Sequence, residues 1–223
     1  MCWNENVSLN TFLFTSAVLI FIFYNNQYTQ YKIEEFKDWK LYLLFFSFTS
    51  IQLVEYFLWK SIKEKNKYNN KIFSIIGWII IRILQPFCLL LLIPDKYLLI
   101  KYLSFFVYFM LLIIISIYKY FYNPVDFTTL VGKNTHLSWN WIELDNNFEY
   151  IIAILYFVLY IPLIMKIPII SLIILGFYVF CYIKYYNTLT WGSMWCWISN
   201  SVLLYFLIKI LFICPYNEYK SSF

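Results

Sequence analysis

Two neighbouring apolar segments of the sequence carry charged and amide side chains at helical spacing. In the first, Gln52, Glu55 and Trp59 recur at steps of three and four residues, so they share one face of a helix. In the second, Arg82 and Gln85 are three residues apart. An ionised side chain at mid-membrane costs about 2.5–3.5 kcal/mol on insertion scales, and such residues usually face the interior of a bundle. We therefore predict that Glu55 and Arg82 face each other inside the protein, in direct contact or through one water molecule.

The sequence leaves three explanations for this pair open. The two charges could be a structural ion pair that fixes the packing of two helices. They could instead form a ligand or ion site. Glu55 lies near the end of its segment, so its side chain could also reach the membrane surface along the lipid.

The last apolar segment and a loop histidine complete the candidate site. Ser193, Trp197 and Asn200 follow one another at steps of four and three residues, and their polar groups can form hydrogen bonds between helices. His136 is the only histidine of the chain, and it could be a hydrogen-bonded loop residue, part of a lid or a general base. The predicted ligand-binding residues are Gln52, Glu55, Trp59, Arg82, Gln85, His136, Trp197 and Asn200, and the sequence identifies no catalytic residue.

The composition indicates that lipid is the main solvent of the chain. Of its 223 residues, 62% are hydrophobic and 13% are charged, whereas soluble domains carry about 25% charged residues. The net charge of +5 is small and the lysines cluster between apolar segments, which argues against a nucleic-acid partner. We expect the lipid bilayer as partner, with a small molecule or a lipid as the ligand to consider. The abundance of Ile, Lys, Asn, Tyr and Phe suggests an AT-rich genome.

Known catalytic and metal-binding motifs are missing from the sequence. The five cysteines show no CxxC or CxxH spacing, and one histidine is too few for a histidine-rich zinc site. There is no GxSxG, no P-loop and no paired-aspartate motif. We therefore predict neither a metal nor a cofactor.

Seven apolar segments are long enough, or nearly so, to cross a membrane as helices, which takes about 20 residues. They cover residues 8–24, 41–59, 72–93, 99–120, 148–165, 167–186 and 193–214. This pattern predicts an all-α integral membrane bundle with seven transmembrane helices, forming a single polytopic domain over residues 1–223. The fifth and sixth segments nearly touch and contain Pro162 and Pro168, so six spans are the alternative.

The segment 122–147 is predicted to be an interfacial loop or flap between spans four and five. Loops of this length are usually functional or disordered, and its tryptophans are typical of the membrane interface. The alternation in "HLSWNWIEL" places three apolar side chains on one side and two polar ones on the other: Leu137, Trp139 and Trp141 against His136 and Asn140. We expect residues 134–144 to fold over the mouth of the bundle, on the side of the Lys60 end of span two.

Three short motifs follow one another along the chain: "MCW" at residues 1–3, "IQLVEYFLW" at 51–59 and "WGSMWCWISN" at 191–200. Together they resemble a family of small multi-pass membrane proteins of bacteria and of large DNA viruses of protists, which begin Met-Cys-Trp and carry Gln-x-x-Glu-x-x-x-Trp in the second span. The matching residues are Cys2, Trp3, Gln52, Glu55 and Trp59, and less closely Trp195 and Cys196. Bacterial members tend to have a histidine where Ile51 stands, which puts in doubt any role that needs a histidine beside Glu55. The resemblance implies a fold and a candidate site but no activity.

Three functions are compatible with these features. The first is binding or moving a small ligand or a proton at the intramembrane Glu55 and Arg82 site. The second is a membrane-embedded enzyme that acts on a lipid, with Glu55 and His136 as acid and base, which requires both to reach one substrate position. The third is a structural or assembly role. A polar cavity that reaches Glu55 would favour the first two functions, and a dry, paired contact would favour the third.

Overall fold

A computed structural model describes residues 4–122, 126–141 and 147–221, most of which are helical. The helices are α1 (Glu5–Tyr28), α2 (Trp39–Lys63), α3 (Lys67–Leu91), α4 (Leu98–Tyr122), α5 (Asn147–Val158), α6 (Ile161–Lys166), α7 (Pro168–Tyr185) and α8 (Trp191–Lys220). Short 3₁₀ turns occupy Glu34–Lys37, Asp95–Tyr97 and Tyr186–Thr188. Two antiparallel strands, β1 (Thr129–Val131) and β2 (Leu137–Trp139), form a hairpin between α4 and α5.

The predicted all-α membrane bundle is confirmed. Six of the described helices, α1, α2, α3, α4, α7 and α8, have the length and hydropathy of membrane spans. The chain is therefore a multi-pass membrane protein.

Polar side chains mark where the first three helices begin. Asn4 accepts a hydrogen bond from the backbone N–H of the third residue after it, and Asn66 does the same at the start of α3, both at 3.0 Å. Asp38 accepts from the N–H two residues later, also at 3.0 Å. Each side chain satisfies an N–H group that has no partner within the helix, which is the usual function of Asn and Asp at this position.

Helices α5 and α6 together cross the bundle once more. The hairpin before α5 is bonded to Asn70 at the start of α3. At the end of α6, Lys166 Nζ lies 2.5 Å from Asp38 Oδ2, just before α2. The starts of α2 and α3 are at opposite ends of the bundle because the two helices are antiparallel neighbours. The hairpin and Lys166 therefore lie at opposite ends of the bundle, which favours seven passes over the alternative of six.

The break between α5 and α6 follows from Pro162. Proline has no amide hydrogen, and its ring clashes with the carbonyl group four residues earlier. That carbonyl belongs to Val158, the last residue of α5. The N–H of Tyr160 turns to the oxygen of Phe157 at 3.1 Å, and α6 begins at the next residue. Neither half alone has the length of a membrane span.

Two of the long helices contain a five-residue π turn that ends two residues before a proline. The turn Ile80–Leu84 in α3 precedes Pro86 by two residues, and the turn Lys209–Ile213 in α8 precedes Pro215 in the same way. The wider turn relieves the clash that the proline ring would cause in a regular helix. It places Arg82 in the middle of the turn of α3, and π turns of this kind are frequent at functional sites.

Helix α2 is the most enclosed of the long helices. It packs against α1, α3 and α8, and its window of span-like residues is 61% buried, against 22% for α4. The polar side chains of Thr49, Gln52 and Glu55 have no exposed surface. The polar face of span two therefore points into the bundle and not to lipid.

Candidate ligand site inside the bundle

A small cavity of about 20 Å³ lies where α3, α5, α7 and α8 meet, beside Trp141, two residues after the end of β2. This is roughly the space of one water molecule. Its wall is formed by Ile81, Arg82, Trp141, Tyr156, Tyr178, Trp191, Gly192, Trp195 and Cys196. The wall is mainly aromatic, and the guanidinium of Arg82 is its charged group.

Arg82 is held through both its side chain and its backbone. It is 5% exposed, and its guanidinium carbon lies 5.5 Å from the ring centroid of Trp141, in cation–π geometry. Its carbonyl oxygen accepts a hydrogen bond from Tyr108 Oη at 2.9 Å. The α-helical donor to that oxygen is missing because Pro86, four residues later, lacks an N–H. The tyrosine thus replaces the missing helical bond and fixes the turn that carries the charge.

Glu55 lies behind the cavity wall and is fully buried on α2. It lies near Cys196, which is one of the lining residues. Helix α2 also packs against the π turn of Arg82. The contact between Glu55 and Arg82, direct or through water, stays a prediction.

Gln85 connects three helices behind the wall. Its Oε1 accepts a hydrogen bond from Tyr156 Oη at 2.5 Å, and Tyr160 Oη lies 3.4 Å from Tyr156 Oη in donating position. Its side chain also lies beside the thiol of Cys196 on α8. All four side chains are buried, so the amide and the two phenols form a polar network inside an otherwise apolar region.

The inner face of α8 differs from the face that the sequence suggested. Ser193 and Asn200 are buried as expected, but Trp197 between them is only half-buried. Trp195 and Cys196 line the cavity instead. The centre of the inner face therefore lies nearer to Cys196, and Trp197 sits at the edge of that face.

Asn200 and Gln52 belong to the interface between α2 and α8. Thr49 Oγ1 donates to Asn200 Oδ1 at 3.2 Å, and Asn200 Nδ2 donates to the carbonyl oxygen of Cys196 at 2.8 Å. Gln52 is fully buried on the same face of α2 as Thr49. Neither amide is part of the cavity wall, and the bonds of Asn200 fix how the two helices pair.

His136 lies at the start of β2, away from the cavity wall. Its ring packs edge-on against Tyr185 near the end of α7, with centroids 6.1 Å apart. Burial lowers the pKa of its imidazole below the usual 6.5, so the ring is neutral at neutral pH. Trp59, the remaining predicted residue, is half-buried near the end of α2 and is also outside the wall.

The hairpin is anchored by residues that the sequence analysis missed. The N–H of Thr129 donates to Asn70 Oδ1 at 2.9 Å, and Asn70 Nδ2 donates to the carbonyl oxygen of Thr129 at 3.0 Å. Ser74 Oγ lies 2.7 Å from Thr129 Oγ1. The amide of Asn70 therefore pairs with β1 as a neighbouring strand would. Asn70, Ser74 and Gly77 follow one another at steps of four and three residues, and this helical spacing could have predicted a face of small and polar residues on α3.

The opposite strand of the hairpin packs on α3 and on the turn between α7 and α8. The ring of Trp139 lies directly over Gly77, where no room remains for a methyl group. Asn134 Nδ2 donates to Thr190 Oγ1 at 2.8 Å. Trp141 follows and reaches the cavity, with its ring centroid 5.3 Å from that of Trp139. The segment that follows the hairpin thus contributes one side chain, Trp141, to the cavity wall.

Part of the predicted flap and of the N-terminal motif lies outside the described residues. This applies to residues 123–125 and 142–146, and to Cys2 and Trp3. Whether the segment 122–147 acts as an interfacial flap stays a prediction.

Within the described residues, no three His, Cys, Asp or Glu side chains are grouped so that they could hold a metal ion. Comparison with protein-family models, curated proteins and solved structures gave no match. The resemblance to the family of small membrane proteins therefore stays a prediction.

Proposed function

We propose that this membrane protein binds a small anion at Arg82, together with a proton on Glu55, and that the hairpin acts as the lid of the site. The observation that carries the proposal is that Arg82, a buried charged residue, lines a small cavity inside the bundle. An intramembrane charge of this kind is costly to maintain and usually serves a site. Trp141, which covers the guanidinium, comes from the hairpin and not from a membrane-spanning helix.

Two of the residues that line the mainly apolar cavity, Trp141 and Trp191, carry an indole N–H group. The indole N–H groups of Trp141 and Trp191 are buried and have no acceptor among the described residues. Indole is a donor only, and an unsatisfied buried donor costs about 1–3 kcal/mol. The described side chains in the wall include no carboxylate and no amide. An anion near the Arg82 guanidinium would supply an acceptor for these two indole N–H groups.

The size of the cavity limits the ligand. About 20 Å³ accommodates one particle of the size of water, so a halide ion fits while the hairpin stays in place. A larger anion could enter only if Trp141 moved away. The bonds of the hairpin to α3 and to the α7–α8 turn would then control access.

Charge balance links the anion to a proton. With Glu55 ionised, a bound anion would leave the neighbourhood of Arg82 with an excess negative charge in a medium of low dielectric constant, which is strongly unfavourable. Proton uptake by Glu55 would remove that excess. Among the described residues, the thiol of Cys196 and the phenols of Tyr156 and Tyr178 also lie around the site, and these groups are neutral in their protonated form.

The test is thermal unfolding in detergent micelles at constant ionic strength, with chloride replacing gluconate. A ligand at a hundred times its Kd stabilises a protein by about 2.7 kcal/mol. We expect chloride to stabilise the wild type and Arg82→Gln to lose the effect. Lys184→Gln is the matched control, because Lys184 also lies over an aromatic ring but is exposed and far along α7.

The outcomes separate a ligand site from a purely structural pair. If Arg82→Gln does not fold, Arg82→Lys keeps the charge without the planar fork and should weaken the chloride effect without removing it. If neither chloride, bromide nor nitrate stabilises the wild type, the proposal is wrong. The structural role, which the small and mainly apolar cavity also favours, would then be the better explanation.

A further inference from the structure

The end of the bundle where α2 ends and α3 begins carries a dense group of lysines. Five of them fall within residues 60–71, and all five side chains are exposed: Lys60, Lys63, Lys65, Lys67 and Lys71. We refer to these five residues as the basic end. The same segment contains one acid, Glu64. The lysines flank two helices with the length and hydropathy of membrane spans, which places the basic end at the level of the lipid headgroups.

Most lysines of the basic end have no acid beside them. Lys63 Nζ lies 3.0 Å from Glu5 Oε1 at the start of α1. Within the part of the chain that the structure describes, the other four lysines of this group form no salt bridge. Four positive charges are therefore presented to the membrane surface without a partner from the described residues.

The opposite end of the bundle pairs its lysines with acids. Lys101 Nζ lies 2.8 Å from Asp95 Oδ1, and Lys209 Nζ lies 2.7 Å from Glu35 Oε1. Further acids belong to the same end: Glu34, Asp38 and Glu218. Although both ends carry lysines, those at the basic end are the ones that still need counter-charges.

The start of α3 concentrates positive charge beside apolar surface. Lys67 and Lys71 are one helical turn apart, where like charges repel. The first turn contains no acidic residue, although the helix dipole favours acids there. Tyr68 between them is 75% exposed, and tyrosine is typical of the membrane interface. On β1, which packs against α3, Leu130 and Val131 are exposed as well. This combination of charge and apolar surface suits the headgroup region of a bilayer.

We propose that the basic end binds the headgroups of anionic phospholipids in the leaflet that surrounds it. Each lysine near an anionic membrane surface contributes about a factor of five in affinity. A zwitterionic headgroup has no net charge and gains less from the same contact. The exposed Tyr68 and Leu130 favour a lipid over a soluble acidic partner, because a bilayer interface accommodates apolar side chains and water does not. This surface lies outside the bundle and is independent of the anion site at Arg82.

The experiment is a competition between two lipids with identical acyl chains. Delipidated protein in micelles receives an equimolar mixture of phosphatidylglycerol and phosphatidylcholine, and native mass spectrometry in ammonium acetate measures the ratio of bound lipids. We expect phosphatidylglycerol to exceed phosphatidylcholine at least about fivefold, as one lysine contact implies. Raising the salt from about 0.1 to about 1 M shortens the Debye length from about 10 to about 3 Å and should remove most of this preference. A preference that does not change with salt would overturn the proposal.

Matched substitutions locate the surface. A fourfold variant with Lys60→Gln, Lys65→Gln, Lys67→Gln and Lys71→Gln should bring the ratio to near one, whereas arginine at the same four positions should retain it. The control removes the same number of charges from exposed lysines at the opposite end, and it should keep the preference: Lys32→Gln, Lys37→Gln, Lys96→Gln and Lys220→Gln.

Three results would contradict a lipid surface at the basic end. Equal binding of the two lipids by the wild type would show that neither is selected. An equal loss of preference in the two glutamine variants would show that net charge, and not this surface, selects the lipid. Full displacement of phosphatidylglycerol by an equimolar amount of glycerol 3-phosphate would show a water-soluble anion site instead of a lipid surface.

Discussion

Replacement of Asn70 by alanine is expected to release the hairpin from α3 while the bundle stays folded. The Asn70 amide makes two hydrogen bonds with the backbone of Thr129, at 2.9 and 3.0 Å. Alanine would leave a buried N–H and a buried C=O of β1 without partners, at about 1–3 kcal/mol each. The cost to the closed hairpin is therefore about 2–6 kcal/mol. Opening of the hairpin lets water reach these groups, so the global stability should fall by less than this amount.

Hydrogen exchange of the backbone amides in residues 126–141 measures this local opening. A loss of about 2 kcal/mol corresponds to roughly thirtyfold faster exchange, since each 1.4 kcal/mol is about a factor of ten. Asn69→Ala is the matched control, because the described hydrogen bond of Asn69 is made by its backbone N–H. Equal exchange in the two variants would refute the clamp. Faster exchange throughout α2 and α8 would show that Asn70 supports the whole bundle.

Three further outcomes are expected. Gly77→Ala should lower the free energy of unfolding by about 1–3 kcal/mol, because the added methyl group meets the indole ring of Trp139. Gly176→Ala has open space around the new methyl group and should be neutral or stabilising by up to about 1 kcal/mol, and thermal unfolding of both variants tests this. Tyr108→Phe removes the hydrogen bond to the buried carbonyl oxygen of Arg82 and should lower the free energy of unfolding by about 1–3 kcal/mol. Pro86→Ala supplies an N–H group and should restore part of this loss, so strictly additive effects in the double mutant would contradict the explanation. Burial lowers the pKa of the His136 imidazole in the folded protein, so the contribution of this residue to the free energy of unfolding is complete above the unfolded-state pKa near 6.5 and is lost as the pH falls through the lower folded-state pKa. The unfolding temperature of His136→Gln should therefore fall less on acidification than that of the wild type.

The membrane-spanning helices could be predicted because hydropathy and length are local properties of a sequence. The polar face of α2 was also readable, since Gln52 and Glu55 share a helical face whatever the helix packs against. The rotation of α8 was not readable in this way. Ser193, Trp197 and Asn200 lie within a narrow sector, and only the neighbouring helices decide whether Trp195 or Trp197 faces the cavity.

The alternation of apolar and polar residues predicted only half of the burial pattern of the hairpin. Leu137, Trp139 and Trp141 are buried together, but His136 is buried as well. Alternation separates a buried face from a solvated one only when one side of a strand is left to water. Here the strand packs between α3 and the α7–α8 turn, so both sides are covered.

The aromatic wall of the cavity was beyond the reach of the sequence. The chain has 22 tyrosines, so no spacing distinguishes Tyr156 or Tyr178 from the others. The hydrogen bond from Tyr156 to Gln85 joins residues 71 positions apart, and it depends on how α5 packs against α3.

The pH dependence of chloride affinity tests most directly whether Arg82 and Glu55 form one site. It is measured by equilibrium titration of the wild type and of Glu55→Gln between about pH 7 and about pH 8.5, where His136 is neutral. We expect the Kd of the wild type to rise with pH, by up to about tenfold per unit where Glu55 is ionised in the free protein. In Glu55→Gln the Kd should be independent of pH, with binding retained through Arg82. A wild-type Kd that does not change with pH, or the same change in Glu55→Gln, would contradict the linkage of anion and proton.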